Sequence, residues 1–141
     1  FDPVPPYLVG REKVREFARA VFATSPLNYD PAAASAAGYA DVVAPPTFAV
    51  VVQEATLAQL LAEPDSGIVL SRVLHGEQRF DYRAPVAVGD TVTFRPRVTG
   101  VTEKKGGAMT LVVVETEVTN QHGVHVANLS RTVVVRNARP S

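Results

Sequence analysis

The hydrophobic positions in the first part of the chain follow helical spacing. In the segment REKVREFARAVF (11–22), apolar residues recur at i, i+3, i+4 and i+7, which is typical of one face of an amphipathic helix. We expect Thr24, Ser25 and Pro26 to end this helix, because a proline disfavours helical geometry in the residue before it. The proline-rich stretch FDPVPPYLV before the helix is predicted to be an extended arm.

Two further helices are indicated before the middle of the chain. Asp30 followed by Pro31 is typical of an N-cap with proline at the first helical position, and it predicts a short helix through Ala37 that Gly38 closes. A longer helix is predicted over residues 46–63, where apolar side chains occupy most of the circumference. A helix that is apolar nearly all round is a buried one, so we expect it at the centre of the core.

From residue 68 onward the pattern changes from helical spacing to alternation. Gly76 predicts a bend or bulge in the first strand, and Pro96 predicts an interruption in the second. Polar, glycine-containing segments mark the turns between strands. The predicted strands cover 68–86, 91–101, 110–120 and 124–137. Helices followed by a run of antiparallel strands indicate an α+β domain in which one buried helix is wrapped by a curved sheet.

Composition restricts the classes of protein to which the chain can belong. With 46% hydrophobic and 20% charged residues and a formal net charge of zero, 141 residues suit one globular domain over residues 1–141. Nucleic-acid binding is disfavoured because no basic block is present. The longest apolar runs fall far short of the roughly 20 residues of a membrane span, and the N-terminus does not resemble a signal peptide. The absence of cysteine is compatible with a cytoplasmic protein.

Four segments in order resemble the MaoC-like hydratase and dehydratase family. They are FDPVPPYLVGREKVREFARAV, YADVVAPPTF, LHGEQRFDYRAPVAVGDTV and VVVETEVTNQHGVHVANLSRTVVVR, and together they cover nearly the whole chain. The resemblance is closest to the N-terminal-half type, which includes the non-catalytic subunits of bacterial two-subunit (3R)-hydroxyacyl-ACP dehydratases. It implies a single hot-dog fold, in which a curved antiparallel sheet wraps a long buried helix.

The resemblance also implies a reaction, the reversible addition of water to an enoyl thioester carried on CoA or acyl carrier protein. Catalytic members use an Asp and a His in the pattern D-x-x-[NS]-P-x-H, in which the imidazole exchanges a proton and the carboxylate orients water. Aligned on the shared proline, ATSPLN places Ala23 at the Asp position and Asn28 at the His position. Pro46 stands in the loop where catalytic members resemble I-x-H-G, so one backbone N–H of the expected oxyanion hole is missing.

Substrate contacts are implied around the start of the central helix. From the place of the site in the family, the resemblance implies that the substrate is contacted by Asn28, Tyr39, Pro46, Thr47 and Phe48. Phe80 and Tyr82 are candidates for the lining of an acyl tunnel, although residues at such positions more often belong to a plain core.

Other polar residues have competing explanations. Asn28 is favoured as a loop and cap residue over a chemical role, and Asp30 as an N-cap over a displaced catalytic carboxylate. His75, beside the predicted bulge, is a weak catalytic candidate. His122 and His125 lie around a predicted turn and lack a third metal ligand nearby, so neither a metal nor another cofactor is expected.

The sequence therefore leads to one principal hypothesis and two alternatives. The principal hypothesis is an acyl-chain-binding subunit that lacks the Asp/His dyad and needs a second hot-dog chain for catalysis. The alternatives are an active enoyl-thioester hydratase that uses His75 or Asn28, and a non-enzymatic homodimer that binds an acyl thioester. The acyl length, the carrier, and the choice between homodimer and heterodimer stay open at this point.

Overall fold

The computed structural model describes residues 5–54 and 73–137, apart from the side chain of His75. The helical elements are α1 (Arg11–Ala20), a 3-10 turn (Pro26–Asn28), α2 (Pro31–Ala36), the helical residues 50–54, here α3, and a second 3-10 turn (Lys105–Gly107). The strands are β1 (Tyr7–Leu8), β2 (Val73–Tyr82), β3 (Thr91–Lys104), β4 (Met109–Thr119) and β5 (His125–Arg136). Within these ranges no helix is long and apolar enough to cross a membrane.

The five strands form one curled antiparallel sheet in the order β1-β3-β4-β5-β2. Alternate residues of β4 and β5 are buried, as expected when one face of a sheet covers the core. Helix α1 buries Val14 and Ala18, the turn before α3 adds Phe48 and Ala49, and α3 adds Val52. The α+β class predicted from the sequence is therefore present, with α3 packed against one face of the sheet.

Helix α1 ends earlier than predicted and for a different reason. It stops at Ala20, and the N–H groups of Phe22 and Ala23 donate back to the carbonyls of Arg19 and Ala18 at 3.2 and 2.9 Å. This is the Schellman arrangement, in which the residue after the C-cap takes a left-handed conformation. Phe22 has φ 58°, so the helix is closed by backbone hydrogen bonds several residues before Pro26.

The short helix α2 confirms its predicted start. The Asp30 carboxylate accepts a hydrogen bond from the N–H of Ala32 at 2.9 Å, and Pro31 is the first helical residue. The helix ends at Ala36, and Gly38 follows with φ 94°, a value that glycine adopts without steric cost.

The predicted central helix is described only over its first turns. Residues 46–49 form a turn, and the helix begins at residue 50 instead of Pro46. Residues 55–63 of the prediction lie outside the described residues. The N–H of Phe48 donates to the carbonyl of Pro45 at 2.9 Å, so residues 46–49 form a hydrogen-bonded turn where the sequence predicted the first turn of the helix.

The first long strand ends earlier than predicted and is bulged where expected. Strand β2 spans Val73–Tyr82, and its pairing with β5 shifts between His75 and Glu77, which confirms the irregularity at Gly76. Residues 68–72 of the prediction are outside the described residues. Residues 83–86 leave the strand, since the N–H groups of Arg83 and Ala84 both donate to the carbonyl of Val126.

The predicted interruption at Pro96 is wrong. Strand β3 continues through Pro96, which pairs with Thr116, and the irregularity falls later, between Val98 and Gly100. Among the described residues, β1 pairs only with the first two residues of β3, so Pro96 lies on an edge where a missing N–H disturbs no second ladder.

We predict that the Asp30 cap stabilises the fold. Asp30→Ala removes the acceptor for the Ala32 N–H and should lower the free energy of unfolding by about 1 kcal/mol in urea titrations. The control is Asp30→Asn, whose side-chain oxygen retains the bond, and it should stay within a few tenths of a kcal/mol of wild type. Equal losses in both variants would contradict the capping role.

Candidate functional site

A cleft of about 430 Å³ opens where three chain segments meet. Its described walls are the 3-10 turn with Ser25, Leu27 and Asn28, the loop 43–46 before α3, and the segment 82–86 after β2. The N–H of Val43 donates to the carbonyl of Leu27, and that of Ala44 donates to the carbonyl of Val86, each at 2.8 Å. Backbone hydrogen bonds thus fix the central segment to both of its neighbours.

Asn28 occupies the wall of this cleft as a nearly buried residue. Its Nδ2 donates to the carbonyl of Val43 at 2.7 Å, and its backbone N–H donates to the carbonyl of Ser25 at 3.1 Å. Only 9% of the residue is exposed. A buried amide is costly unless it is hydrogen-bonded, so the bond to Val43 gives Asn28 the structural role that the sequence favoured.

Ala23 is not among the described residues that line the cleft. Its N–H belongs to the C-terminal closure of α1, and its carbonyl accepts a hydrogen bond from the hydroxyl of Tyr29. The backbone at this position is therefore held firmly by two hydrogen bonds. The methyl side chain provides no group that can transfer a proton.

The other predicted substrate contacts are distributed over three environments. Pro46 lines the cleft, and Thr47 beside it is exposed. Phe48 is buried, with its ring at 5.5 Å from that of Phe17 in an edge-to-face arrangement. Tyr39 is half-buried after α2 and does not line the cleft within the described residues. The structure brings Asn28 and Pro46 together, while Phe48 lies in the core beneath them.

Tyr82 connects the sheet to the loop before α3. Its hydroxyl donates to the carbonyl of Pro46, and its ring stacks on Phe80 with centroids 6.3 Å apart and planes 6° from parallel. Burial raises the pKa of Tyr82 to about 12, so the hydroxyl is protonated at neutral pH and remains a donor. The sequence indicated Tyr82 as a tunnel residue but gave no sign of this hydrogen bond.

A second, much smaller void lies behind Tyr82. It has a volume of about 10 Å³ and is apolar, with Phe48, Ala49, Val52, Val92, Phe94, Val118 and Ala127 among its lining residues. Tyr82 and Val86 line both this void and the cleft. The two cavities are therefore neighbours across the same pair of side chains.

A larger groove of about 690 Å³ lies elsewhere, across β2, β3, β4 and β5. Four of its six charged lining residues form two ion pairs, Arg79 with Asp81 at 3.1 Å and Arg97 with Glu115 at 4.0 Å. These pairs are exposed, and exposed ion pairs of this kind contribute little energy. We favour the smaller cleft as the functional site because its walls are mainly apolar and include predicted site residues.

None of the three histidines is among the described residues that line the cleft. His75 pairs with Val133 at the β2 bulge, seven residues before Tyr82, which is about 20 Å along a strand at roughly 3.3 Å per residue. His122 is exposed in the turn before β5, as expected. His125, half-buried at the start of β5, lies 2.9 Å from the Asn128 side chain through Nε2. Among the described residues, no three His, Cys, Asp or Glu side chains are grouped as metal ligands.

Two charged positions were missed by sequence reasoning. Arg83 is exposed on the rim of the cleft and forms no ion pair with the described residues. Arg131 is buried on the core-facing side of β5 and contacts Glu54 of α3 at 2.9 Å. The signal for Arg131 was available, since it replaces an apolar residue in the alternation of β5.

The chain is similar to a known protein family and to individual proteins of known sequence. The family model described as FAS1-like, dehydratase domain region matches residues 1–129. A UPF0336 protein of Leifsonia xyli subsp. xyli is 54% identical over 136 residues, which are 96% of this chain and 90% of that protein.

Two solved structures have the same fold. A chain of the C-terminally truncated HadBC (3R-hydroxyacyl-ACP dehydratase) complex of Mycobacterium tuberculosis has a TM-score of 0.83 and 33% identity, covering 94% of this chain and 92% of that one. A MaoC-like dehydratase has a TM-score of 0.86 and 36% identity over 98% of this chain, which matches 41% of that longer chain. They confirm the hot-dog fold predicted from the sequence. The chain thus belongs to the MaoC-like family of hot-dog dehydratases.

Proposed function

We propose that this protein is the acyl-chain-binding subunit of a (3R)-hydroxyacyl-thioester dehydratase, and that a second hot-dog chain supplies the catalytic Asp and His. The observation that carries the proposal is the chemistry of the cleft walls. The described lining includes no Asp, Glu, His, Cys or Lys, and its ionisable groups are Tyr82 and Arg83. Burial raises the pKa of Tyr82 to about 12, so its hydroxyl does not exchange a proton readily near neutral pH.

The reaction needs groups of a different kind. Hydration of an enoyl thioester requires a base that takes a proton from water and an acid that delivers one to the α-carbon. Such groups work best when their pKa is near the operating pH. Asn28 does not titrate there, and its amide already donates to the Val43 carbonyl. The cleft of this chain is therefore suited to binding and leaves proton transfer to the partner.

The same walls suit an acyl thioester. Ala44, Pro45 and Val86 offer apolar surface to an acyl chain, and burial of each methylene contributes about 0.8 kcal/mol. Arg83 on the rim places a cation where a phosphate of CoA or of a phosphopantetheine arm can pair with it. We place the acyl group inside the cleft and the carrier outside it.

The sheet offers one edge for a second chain. Within the described residues, β2 pairs only with β5, so its other side is open over Val73–Tyr82. The free part of β3 instead carries Pro96, a bulge and exposed arginines, which are features that discourage strand pairing. The HadBC complex of Mycobacterium tuberculosis, a 3R-hydroxyacyl-ACP dehydratase with a chain similar to this one, supports such an assembly. We propose one hot-dog unit over residues 1–141 that associates through β2.

The alternative of an independent hydratase based on His75 receives less support. The backbone of His75 is about 20 Å along β2 from Tyr82, as estimated from strand geometry. The alternative of a binding protein without turnover uses the same cleft and differs only in its response to a partner. The experiment on activity distinguishes all three.

We predict that catalysis requires the second chain. Crotonyl-CoA and a longer enoyl-CoA are incubated with the purified protein, and loss of the conjugated-thioester absorbance is followed. The chain alone should show no hydration above background, and addition of a hot-dog chain with the intact D-x-x-[NS]-P-x-H pattern should raise the rate at least 100-fold, as expected for general acid–base groups.

The control replaces the His of the partner's motif by Ala, which should abolish the rate of the mixture. Robust hydration by the chain alone would overturn the proposal and make His75→Ala the next variant. Binding of acyl-CoA without turnover in any mixture would favour the binding protein.

We predict that association depends on the open edge of β2. Leu74 is 49% exposed on this strand, and Leu74→Lys should weaken complex formation at least tenfold, because a lysine on an edge opposes strand pairing. Val101 is the matched control, since it is 64% exposed on β3 at the opposite side of the sheet. Sedimentation velocity with the dyad-bearing partner measures both variants. An equal effect of Val101→Lys would exclude β2 as the specific contact.

A further inference from the structure

We infer that Tyr82 determines the length of acyl chain that the cleft accepts, an inference that rests on the proposed acyl-binding function. Its ring and hydroxyl form a closed gate between the cleft and the void beneath α3. While Tyr82 is bonded to the Pro46 carbonyl, an acyl chain ends at its ring; when Tyr82 moves, the chain continues into the core.

Tyr82 lies between the cleft and the void. It lines both the cleft of about 430 Å³ and the void of about 10 Å³, and Val86 is the other residue common to the described linings. Within the described residues these two side chains separate the cleft from the void, so an acyl chain that enters past Asn28 and Pro46 and continues inward meets them. Val86 is buried and its carbonyl accepts from the N–H of Ala44, whereas Tyr82 is half-buried and its hydroxyl reaches the exposed turn at Pro46, so we assign the gate to Tyr82.

Two contacts hold the Tyr82 side chain in place. The hydroxyl is bonded to Pro46, a residue 36 positions earlier, and the ring stacks on Phe80. The bond to Pro46 joins the last residue of β2 to the exposed turn that precedes α3. A hydrogen bond at one end and a stacked ring at the other can be exchanged for contact with an acyl chain without disrupting the sheet ladder.

The void behind Tyr82 is small and lined by apolar side chains. A void of about 10 Å³ holds at most about one water-sized probe, so the void does not accommodate an acyl chain while the gate is closed. Its walls include Ala49, Val52 and Ala127, which are small, apolar side chains that leave room once a neighbouring ring is displaced. The void therefore marks the direction in which the cleft extends.

The test measures affinity for saturated acyl-CoAs from butyryl to hexadecanoyl by calorimetry, below their micelle concentrations. The purified chain is measured alone and again in complex with its partner. For wild type, affinity should rise with chain length and then level off once the cleft is filled. Tyr82→Ala joins the two cavities, and its affinity should continue to rise, exceeding wild type at least tenfold for the longest chains while butyryl-CoA binds equally.

Tyr82→Phe retains the ring and removes the bond to Pro46, so it tests the gate even if Tyr82→Ala does not fold. Its affinity for long chains should rise severalfold with no change for short ones. Phe22→Ala is the control, because it removes a ring that is 88% exposed just after α1 and that lines neither cavity within the described residues. It should keep the wild-type dependence on length.

The outcomes separate this inference from the proposed function. If wild type binds no acyl-CoA of any length, the proposed acyl-binding function fails. If wild type binds acyl-CoA but both Tyr82 variants keep the same dependence on chain length, the gate is overturned and acyl binding stands. A wild-type affinity that rises through hexadecanoyl-CoA without levelling off also overturns the gate.

Discussion

The cleft depends on the backbone hydrogen bonds of residues 42–44. The N–H of Val43 donates to the carbonyl of Leu27, the N–H of Ala44 to that of Val86, and the N–H of Val88 to that of Val42, each at 2.8 Å. Three segments far apart in sequence are thereby fixed at one end of the sheet. Because the next residues turn directly into α3, the same bonds determine where that helix begins and where Pro46 meets Tyr82. Loss of this segment would separate the walls of the cleft as well as the helix from the sheet.

Features of the fold that depend on neighbouring residues in sequence were predictable. Asp30 caps α2 through a side chain two residues from its partner, and Gly76 marks the β2 bulge. The effect of Pro96 was not predictable, because it depends on whether a second strand pairs there, which is a property of the whole sheet. The left-handed conformation of Phe22 was not predictable either, because glycine usually occupies such a position. Here the conformation accompanies the backbone hydrogen bonds that close α1.

The candidate site shows the same division between local and long-range information. The resemblance to the family brought Asn28 and Pro46 to attention, and both line the cleft. It also indicated Tyr39, which the described lining does not include. The hydrogen bond between Tyr82 and Pro46 joins residues 36 apart, so no pattern of spacing could have indicated it. Tyr82 was predicted as an apolar wall, whereas its hydroxyl fixes the geometry of that wall.

The chemistry of Asn28 explains how the described walls of the cleft keep their form although they include no Asp, Glu, His, Cys or Lys. An imidazole at this position would have two nitrogens, so that one could donate to a backbone carbonyl while the other exchanged a proton. The Asn28 amide performs the first task, since its Nδ2 donates to Val43 at 2.7 Å. It has no titratable nitrogen for the second. Because the bond to Val43 also supports the segment that closes the cleft, replacing Asn28 by an apolar residue would leave a carbonyl without its donor and loosen the wall. On the proposed function, Asn28 supports the wall of the cleft through an amide that does not titrate, which is the combination expected of a binding subunit beside a catalytic one.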